Sequence, residues 1–233
     1  MPKIYENVEL LHSDDFDSFD AWHHEGIGEI ARAPGGGMRL HCFRSQQGGP
    51  GCMAFFRPTL PDNVAVEYDI VVRSHGGLVI NYLAMRGIKG EDLIEDREKL
   101  PERTGVMRDY WSARWGLQSY HISFSRFDDD GTHTDTSNAR RNPGIMMAAQ
   151  GVDPCTEIDR EYAIRLVKSR GHVQFFVDGR FCFDIIDRDE SRYPIPDTGK
   201  FGFRLIGSDV KADIANFRVH SIEPDASIWR YKE

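Results

Sequence analysis

The chain is short of basic residues: 29 lysines and arginines stand against 37 aspartates and glutamates, which leaves a formal net charge of −8. A nucleic-acid-binding protein needs a concentrated basic surface that displaces counterions from phosphate, so this function is disfavoured. No apolar run approaches the roughly 20 residues that cross a bilayer. Residues 1–9 also lack the apolar core of a secretory signal. We therefore expect a cytoplasmic protein with neither a nucleic-acid nor a membrane partner.

Cysteine is scarce, and its spacing gives no metal motif. Cys42, Cys52, Cys155 and Cys182 include no CxxC pair, so a structural zinc site is not indicated. Cys42 and Cys182 lie in alternating apolar segments, where a free thiol behaves as a small hydrophobic group. A Walker loop, a Rossmann fingerprint and a serine nucleophile elbow are also missing from the sequence. We predict reduced cysteines and no organic cofactor.

What the sequence does contain is a period of two, which is typical of half-buried β-strands. Many short alternating segments separated by Gly, Pro and Asp favour an all-β sandwich over alternating βα units. The length suits one domain, 1–233, because sandwiches run to roughly 200–250 residues. The predicted strands cover residues 38–43, 64–72, 78–83, 115–127, 162–168, 172–178, 180–186, 201–206 and 212–222.

Three segments between the strands stand out. Asp178-Gly179 predicts a type I′ hairpin turn, which needs positive φ at both central residues. Gly90 to Arg103, rich in charged residues around a few leucines, predicts one short helical excursion. Asp128 to Pro143 reads as a long polar loop, and long loops in compact domains are often functional.

Several segments resemble known carbohydrate-binding folds. His172–Arg180, Gly199–Arg204 and Asp213–Val219 resemble the C-terminal strands of concanavalin A-like lectins and glucanases. Arg114–Asn138 and Phe19–Gly26 resemble the YesU-like family, and the similarity covers nearly the whole chain. The resemblance implies a jelly-roll sandwich of two curved antiparallel sheets and a link to bacterial polysaccharide utilisation. It implies no particular set of catalytic residues.

One predicted strand carries the pattern expected of a ligand-binding sheet. The concave outer face of a curved sandwich is free to hold a ligand, so such a strand is apolar on one side and polar on the other. Tyr120, Ile122 and Phe124 form the apolar set of residues 115–127. The polar set consists of Ser119, His121, Ser123 and Ser125. Small hydroxyls beside a histidine suit a groove, although a plain solvent-exposed face explains them equally well.

The candidate catalytic residues centre on His121, whose ordinary pKa of about 6.5 allows acid or base work near neutral pH. We expect Tyr120 or His133 to assist it. Glu67 is a candidate for the paired carboxylate that a glycosidase requires. However, the glucanase pattern Glu-x-Asp-x-x-Glu stops after Glu67-Tyr68-Asp69, which counts against an ordinary retaining glucanase.

The candidate substrate-binding residues supply charge, hydrogen bonds and stacking surfaces. Arg114 and Arg140 offer forked donors for a uronic-acid carboxylate, although pairing with nearby aspartates explains Arg140 equally well. Trp115 offers a ring for a pyranose face, although aromatic residues in such folds are more often core. The hydrogen-bonding candidates are Asn81, Tyr82, Gln118, Ser123 and Ser125.

A divalent metal is a further hypothesis. His121, His133 and Asp135 are the candidate ligands, but a spacing of two residues is weak support. Asp128-Asp129-Asp130-Gly131 lacks the spacing and final Glu of an EF-hand, so a turn capped by acidic side chains is favoured.

Three functions remain open on the sequence. The first is an enzyme that hydrolyses or eliminates an acidic oligosaccharide on the concave sheet. The second is a non-catalytic carbohydrate-binding module or lectin, which needs no titratable pair. The third is a scaffold protein that kept the sandwich and lost its ligand, because a fold does not imply a function.

Overall fold

Two antiparallel sheets form the architecture of the computed structural model, which describes residues 3–44 and 49–225. Sheet A follows the strand order β13-β12-β11-β6-β15-β4-β3, and β1 pairs with the remaining edge of β15. In that order the strands are Arg180–Ile186, His172–Val177, Glu161–Ser169, Val64–Val72, Val210–Ile222, Met38–Cys42 and Gly28–Arg32, with β1 at Asn7–Asp14.

Sheet B follows the order β10-β9-β8-β7-β14-β5-β2. Its strands are Met146–Val152, Thr136–Asn142, Leu117–Phe127, Gly77–Gly87, Lys200–Gly207, Cys52–Phe56 and Trp22–Gly26. All of the pairings in both sheets are antiparallel. The predicted all-β fold of two antiparallel sheets is therefore confirmed.

The main core lies between the two sheets and is strongly aromatic. Trp22 packs on Phe203 with 5.3 Å between ring centroids, and Phe124 packs on Phe175 at 5.2 Å. Burying one such side chain contributes roughly 1.5–3 kcal/mol, so these contacts supply much of the force that holds the sheets together. Alternate residues of each strand point into this core, as the period of two predicts.

A second apolar cluster lies on the outer face of sheet B. We call residues 88–116, which connect β7 and β8, the excursion. The cluster forms because the excursion folds back over the outer face of sheet B. Leu93 and Tyr110 of the excursion pack against Phe55 and Tyr82 of the sheet. One half of the outer face is thus covered, and of β8, β9 and β10 only Leu117, at the start of β8, belongs to this cluster.

The predicted helical excursion between strands is present, but Gly90 to Arg103 contains only one 3₁₀ turn and no α-helix. The excursion has a 3₁₀ turn at Arg97–Lys99, a four-residue α-helix at Arg108–Trp111 (α1) and a 3₁₀ turn at Ala113–Trp115. Asp92 accepts hydrogen bonds from the backbone N–H groups of Ile94 and Glu95, and such local bonds compete with a regular helix. Within the described residues, no helix has the length and apolar character that a membrane span requires.

The predicted loop from Asp128 to Pro143 is also corrected. A turn at 128–131, capped by Asp130, leads into β9, so half of the segment is strand. Only Ala139 of β9 belongs to the apolar core, and the hydrophobic alternation that marks other strands is therefore missing. The type I′ turn is confirmed, with φ of 50° at Asp178 and 71° at Gly179. All four cysteines are free, as predicted.

Candidate functional site

The outer face of sheet B carries three adjacent pairs of polar residues on β8 and β9. In each pair the two residues lie directly opposite one another across the strands, so their side chains are close neighbours on one face. Tyr120, Ile122 and Phe124 of β8 point the other way, into the core. We call the polar set the polar floor; it consists of the pairs Ser119–Asn142, His121–Arg140 and Ser123–Asn138.

The polar floor is deep and internally hydrogen-bonded. His121 is 1% exposed, Asn138 4% and Ser123 6%. Asn142 donates from Nδ2 to Ser119 Oγ at 3.0 Å and to His121 Nδ1 at 3.1 Å. Since Nδ1 accepts, the proton of the neutral imidazole lies on Nε2. The ring therefore offers Nε2–H as a hydrogen-bond donor.

The imidazole of His121 is neutral at physiological pH. Burial, together with the smaller effect of the positive charges of Arg140 and Arg204, lowers its pKa to about 3. A buried group avoids a charge that would be desolvated and would stand beside two like charges. The floor therefore gains no positive charge from its histidine.

This pKa predicts how stability changes with pH. The unfolded chain binds a proton on His121 below about pH 6.5, whereas the folded protein does so only near pH 3. Unfolding is thus favoured as the pH falls, and His121 alone costs about 2 kcal/mol between pH 7 and pH 5. In urea titrations at pH 7 and pH 5, the free energy of unfolding should fall by about 2 kcal/mol less in His121→Gln than in the wild type. Equal losses in the two proteins would contradict the assigned neutral ring.

Charge is strongly segregated onto sheet B. Although the whole chain is acidic, the only acidic residue in the seven described strands of this sheet is Glu25. The same strands hold six lysines and arginines, namely Arg86, Arg126, Arg140, Arg141, Lys200 and Arg204. Arg141, Lys200 and Arg204 are buried, so the charge near the surface comes from Arg86, Arg126 and Arg140. Positive charge at the surface of an acidic protein attracts anions to that place.

Three of these cations have no carboxylate partner among residues 3–44 and 49–225. Arg140 donates a hydrogen bond to the Ile145 carbonyl at 3.0 Å, and Arg204 donates one to the Gly105 carbonyl at 2.9 Å. The side chain of Arg126 makes no ion pair with the described residues. Burial lowers the pKa of Arg140, and the nearby positive charge of Arg126 lowers it further, which shows that the two guanidinium groups are close. Arg204 is fully buried under Tyr110 of the excursion, so only the charges of the half-buried Arg126 and Arg140 are left for a ligand to neutralise.

The other three cations of sheet B are compensated. Arg86 pairs with Asp197 at 2.8 Å, Arg141 with Asp187 at 2.8 Å and Lys200 with Asp92 at 2.7 Å. Their carboxylate partners all lie in loops rather than in the strands. The uncompensated charge is therefore confined to Arg126, Arg140 and Arg204.

A buried ionic cluster fixes the excursion beside the polar floor. Arg103 of the excursion donates from Nε to Glu25 Oε2 at 3.0 Å, and the Tyr110 hydroxyl donates to the same oxygen at 2.7 Å. Burial alone would raise the pKa of Glu25, but hydrogen bonds from His23, Arg103 and Tyr110 lower it to about 2. Glu25 is thus ionised and fully engaged, which leaves it unavailable as a catalytic acid.

The structure brings some of the sequence candidates together. His121, Ser123 and Arg140 belong to the polar floor, and Tyr82 lies opposite His121 in register, with 5.9 Å between the rings. Ser125 is buried beside them at a bulge with φ of 48°. The excursion places Arg114, exposed, beside the half-buried Trp115, whose Nε1 donates to the Glu102 carbonyl at 3.0 Å.

Five candidates lie elsewhere, and the proposed arrangement is corrected for them. Tyr120 faces the core and donates to Asp187 at 2.7 Å, so it lies on the opposite side of the sheet from His121. Asn81 accepts from the Tyr68 hydroxyl of sheet A at 2.5 Å, inside the sandwich. Gln118 has the parity of Tyr120 and is fully buried.

Glu67 and His133 are separated from His121 by the fold. Glu67 lies on the outer face of sheet A, where Arg165 and Asn7 bind it. His133 lies opposite Phe127 at the far end of β8, six residues or about 20 Å from His121. Neither side chain shares a site with His121.

The metal hypothesis loses its ligand set for the same reason. His133 contacts Asp135 and Asp153, both at 3.3 Å, and His121 is not part of that group. In the part of the chain that the structure describes, no group of three or more His, Cys, Asp or Glu side chains is arranged to hold a metal ion.

Sequence reasoning missed Arg204, Asn138 and Asn142. For Arg204 a signal existed, because Gly202 and Arg204 have the parity opposite to the buried Phe201 and Phe203. For Asn138 and Asn142 there was none, because their strand lacks apolar alternation.

The fold and the polar floor define the class of protein: a galectin-like, concanavalin A-like jelly-roll sandwich with a polar, cationic outer sheet. Residues 4–219 match the family described as "Domain of unknown function (DUF1961)", and the chain belongs to this family. It is 31% identical over 204 residues to "Uncharacterized protein YesU" of Bacillus subtilis (strain 168), covering 85% of this chain and 88% of that protein. The predicted resemblance to the YesU-like family is confirmed.

Two solved structures agree with this class. One is a Bacillus subtilis protein described as having a galectin-like fold, with a TM-score of 0.83 and 27% identity over 95% of this chain and all of the other. The second is the carbohydrate-binding module CBM66 from Bacillus subtilis, with a TM-score of 0.56 and 14% identity over 86% of this chain and 96% of the module. At that identity the second comparison shows the fold alone.

Proposed function

We propose that this chain binds an acidic oligosaccharide on the polar floor. The observation that carries the proposal is the charge on sheet B, where the half-buried Arg126 and Arg140 lack carboxylate partners among the described residues. A uronate carboxylate placed at the half-buried Arg140 would accept charge-assisted hydrogen bonds, which are about twice as strong as neutral ones. An anionic sugar therefore fits this face better than a neutral one.

The remaining floor groups suit sugar hydroxyls. Ser123 and Asn138 have small polar side chains that donate and accept, and the His121 ring offers Nε2–H. The fold of CBM66, a carbohydrate-binding module by its description, supports the same ligand class. The side chains of the polar floor and the fold of the chain therefore both support the proposal of carbohydrate binding.

Hydrolysis is disfavoured by the composition of the face. Glycosidases use two carboxyl groups on either side of the scissile bond. The described strands of sheet B supply only Glu25, which is committed to Arg103 and Tyr110.

Elimination is the second candidate, and the neutral His121 beside uncompensated guanidinium groups favours it. In this reaction a base removes the proton α to the uronate carboxylate, the C4–O bond breaks, and a C4–C5 double bond forms. A neutral imidazole is a competent base, and the arginines would stabilise the developing negative charge. The tautomer opposes it, because Asn142 holds Nδ1 as the acceptor and leaves the proton on Nε2. Binding therefore stands first.

The test compares oligosaccharides that differ only in charge. Galacturonate, glucuronate and mannuronate oligomers are each measured against their methyl esters by calorimetry and thermal denaturation. At least one acid should bind more tightly than its ester, and at 100 times its dissociation constant it should add about 2.7 kcal/mol of stability. Equal binding of acid and ester, or no binding by any oligomer, would overturn the proposal. Ultraviolet absorbance from an unsaturated product would move elimination to first place.

A further inference from the structure

A second concave site lies at one end of the sandwich, away from the polar floor. It is a cleft of about 510 Å³, within the range of small-molecule sites. We call it the end cleft. Its lining includes Asp62, Arg170, Arg188, Glu190, Ile195 and Asp197.

One wall of the end cleft is held rigidly in place. Arg141 of β9 donates to Asp187 Oδ1 at 2.8 Å and to the carbonyls of Tyr193 and Pro194 at 2.6 and 3.0 Å. The Tyr120 hydroxyl donates to the other oxygen of Asp187 at 2.7 Å. These bonds, made by nearly buried side chains, fix the segment between β13 and β14 that forms the wall. The cleft is therefore formed before any ligand arrives.

Two carboxylates of the lining have one oxygen committed and one oxygen free. Asp62 Oδ1 accepts from the buried Lys168 and from the Arg170 backbone N–H, and Asp197 Oδ1 pairs with Arg86 at 2.8 Å. Within residues 3–44 and 49–225, Oδ2 of each carboxylate has no hydrogen-bond or ion-pair partner. Both Oδ2 atoms can therefore accept a hydrogen bond from a ligand.

The lining of the end cleft carries charges of both signs. A ligand anion would meet the carboxylates of Asp62, Glu190 and Asp197, and a cation would meet the guanidinium group of Arg170. A neutral molecule with hydroxyl groups satisfies both, because a hydroxyl donates to a carboxylate and accepts from a guanidinium. Ile195 adds an apolar surface of the kind that contacts a C–H face.

Polar groups without partners continue behind the lining. Nε of Arg86, the residue that binds Asp197, is buried without a hydrogen bond, as are both amide atoms of Gln118, its neighbour in register on β8. Unsatisfied buried groups in a native structure call for an explanation such as a bound ligand or water.

We propose that the end cleft binds a neutral, hydroxyl-rich ligand, a sugar or polyol of one or two rings, independently of the acidic ligand proposed for the polar floor. Arg170 is its exposed donor, and Asp62 and Asp197 are its acceptors. Two distinct sites on one chain would let it hold a neutral and an acidic part of a carbohydrate at the same time.

The experiment measures binding of glucose, galactose, xylose and sorbitol to the full chain by saturation-transfer NMR and titration. Arg170→Ala should lower the affinity for the bound probe about tenfold, which is the usual effect of losing one charged hydrogen bond. Ile195→Trp, which fills the cleft, should abolish binding. The matched control is Arg180→Ala, an exposed arginine at the far end of β13, which should bind like wild type.

Three results would overturn the proposal: none of the four probes binds, Ile195→Trp binds as wild type does, or acetate or ethylammonium displaces the bound probe. Circular dichroism of each variant excludes loss of folding as the cause. Binding of uronates to the polar floor is read separately, so either proposal can fail without the other.

Discussion

Replacing Glu25 with alanine is expected to destabilise the protein by about 3–5 kcal/mol, the usual cost of removing one partner from a buried ion pair. The change leaves Arg103, whose side chain is 2% exposed, with an uncompensated buried charge. It also deprives the Tyr110 hydroxyl of its acceptor. Urea denaturation followed by tryptophan fluorescence measures the loss.

The design includes two matched variants. Glu25→Gln keeps the shape and one acceptor, so it should cost less than Glu25→Ala. The double variant Glu25→Ala, Arg103→Met removes both charges and should recover part of the stability, because the unpaired charge is what makes the single change expensive. If Glu25→Ala lost less than about 1 kcal/mol, the excursion would be held by its apolar contacts alone.

Reversing the charge at Arg140 is expected to abolish binding of an acidic oligosaccharide. Arg140→Glu removes a charge-assisted hydrogen bond of roughly 1.5–3 kcal/mol and adds repulsion between two carboxylates, so affinity should fall more than about hundredfold. Arg140 is half-buried and makes one hydrogen bond to a carbonyl, so the fold should tolerate the change.

The control for this variant is Arg218→Glu. Arg218 is exposed on β15 of sheet A. Its replacement by glutamate changes the net charge of the protein by the same amount as Arg140→Glu but leaves sheet B unaltered. It should bind the acidic oligosaccharide with nearly wild-type affinity. A similar loss in both variants would indicate a non-specific charge effect, and unchanged affinity in Arg140→Glu would remove Arg140 from the site.

Most of the strands with an apolar side could be predicted from the sequence, although the short strand Cys52–Phe56, which also packs in the core, was missed. Val64–Val72 and His172–Val177 alternate clearly because one side of each packs in the core. By contrast, β9 presents Asn138, Arg140 and Asn142 on its outer face and contributes only Ala139 to the core. The strand that carries half of the polar floor was therefore read as a loop.

The site was predicted in part for a related reason. The parity of β8 separated His121 and Ser123 from the core residues, and the structure places them on one face as that parity requires. The same parity should have excluded Tyr120 and Gln118, which point to the opposite side. Asn81 lay beyond this reasoning, because its hydrogen bond to Tyr68 joins two strands from different sheets.

The charge on sheet B was also beyond the reach of sequence reasoning. The six cations come from four strands that are dispersed along the chain, and the excess of acidic residues outside the strands masks them in the net charge of −8. Only the strand order collects them on one sheet. The positive face is thus a property of the topology.

The most direct test of the account is a crystal structure of the protein with the tightest-binding uronate oligosaccharide. We expect the sugar to lie on the outer face of sheet B, with a carboxylate at Arg140 and a hydroxyl within hydrogen-bonding distance of His121 Nε2. A uronate found on sheet A, or in the end cleft with the polar floor empty, would contradict the account.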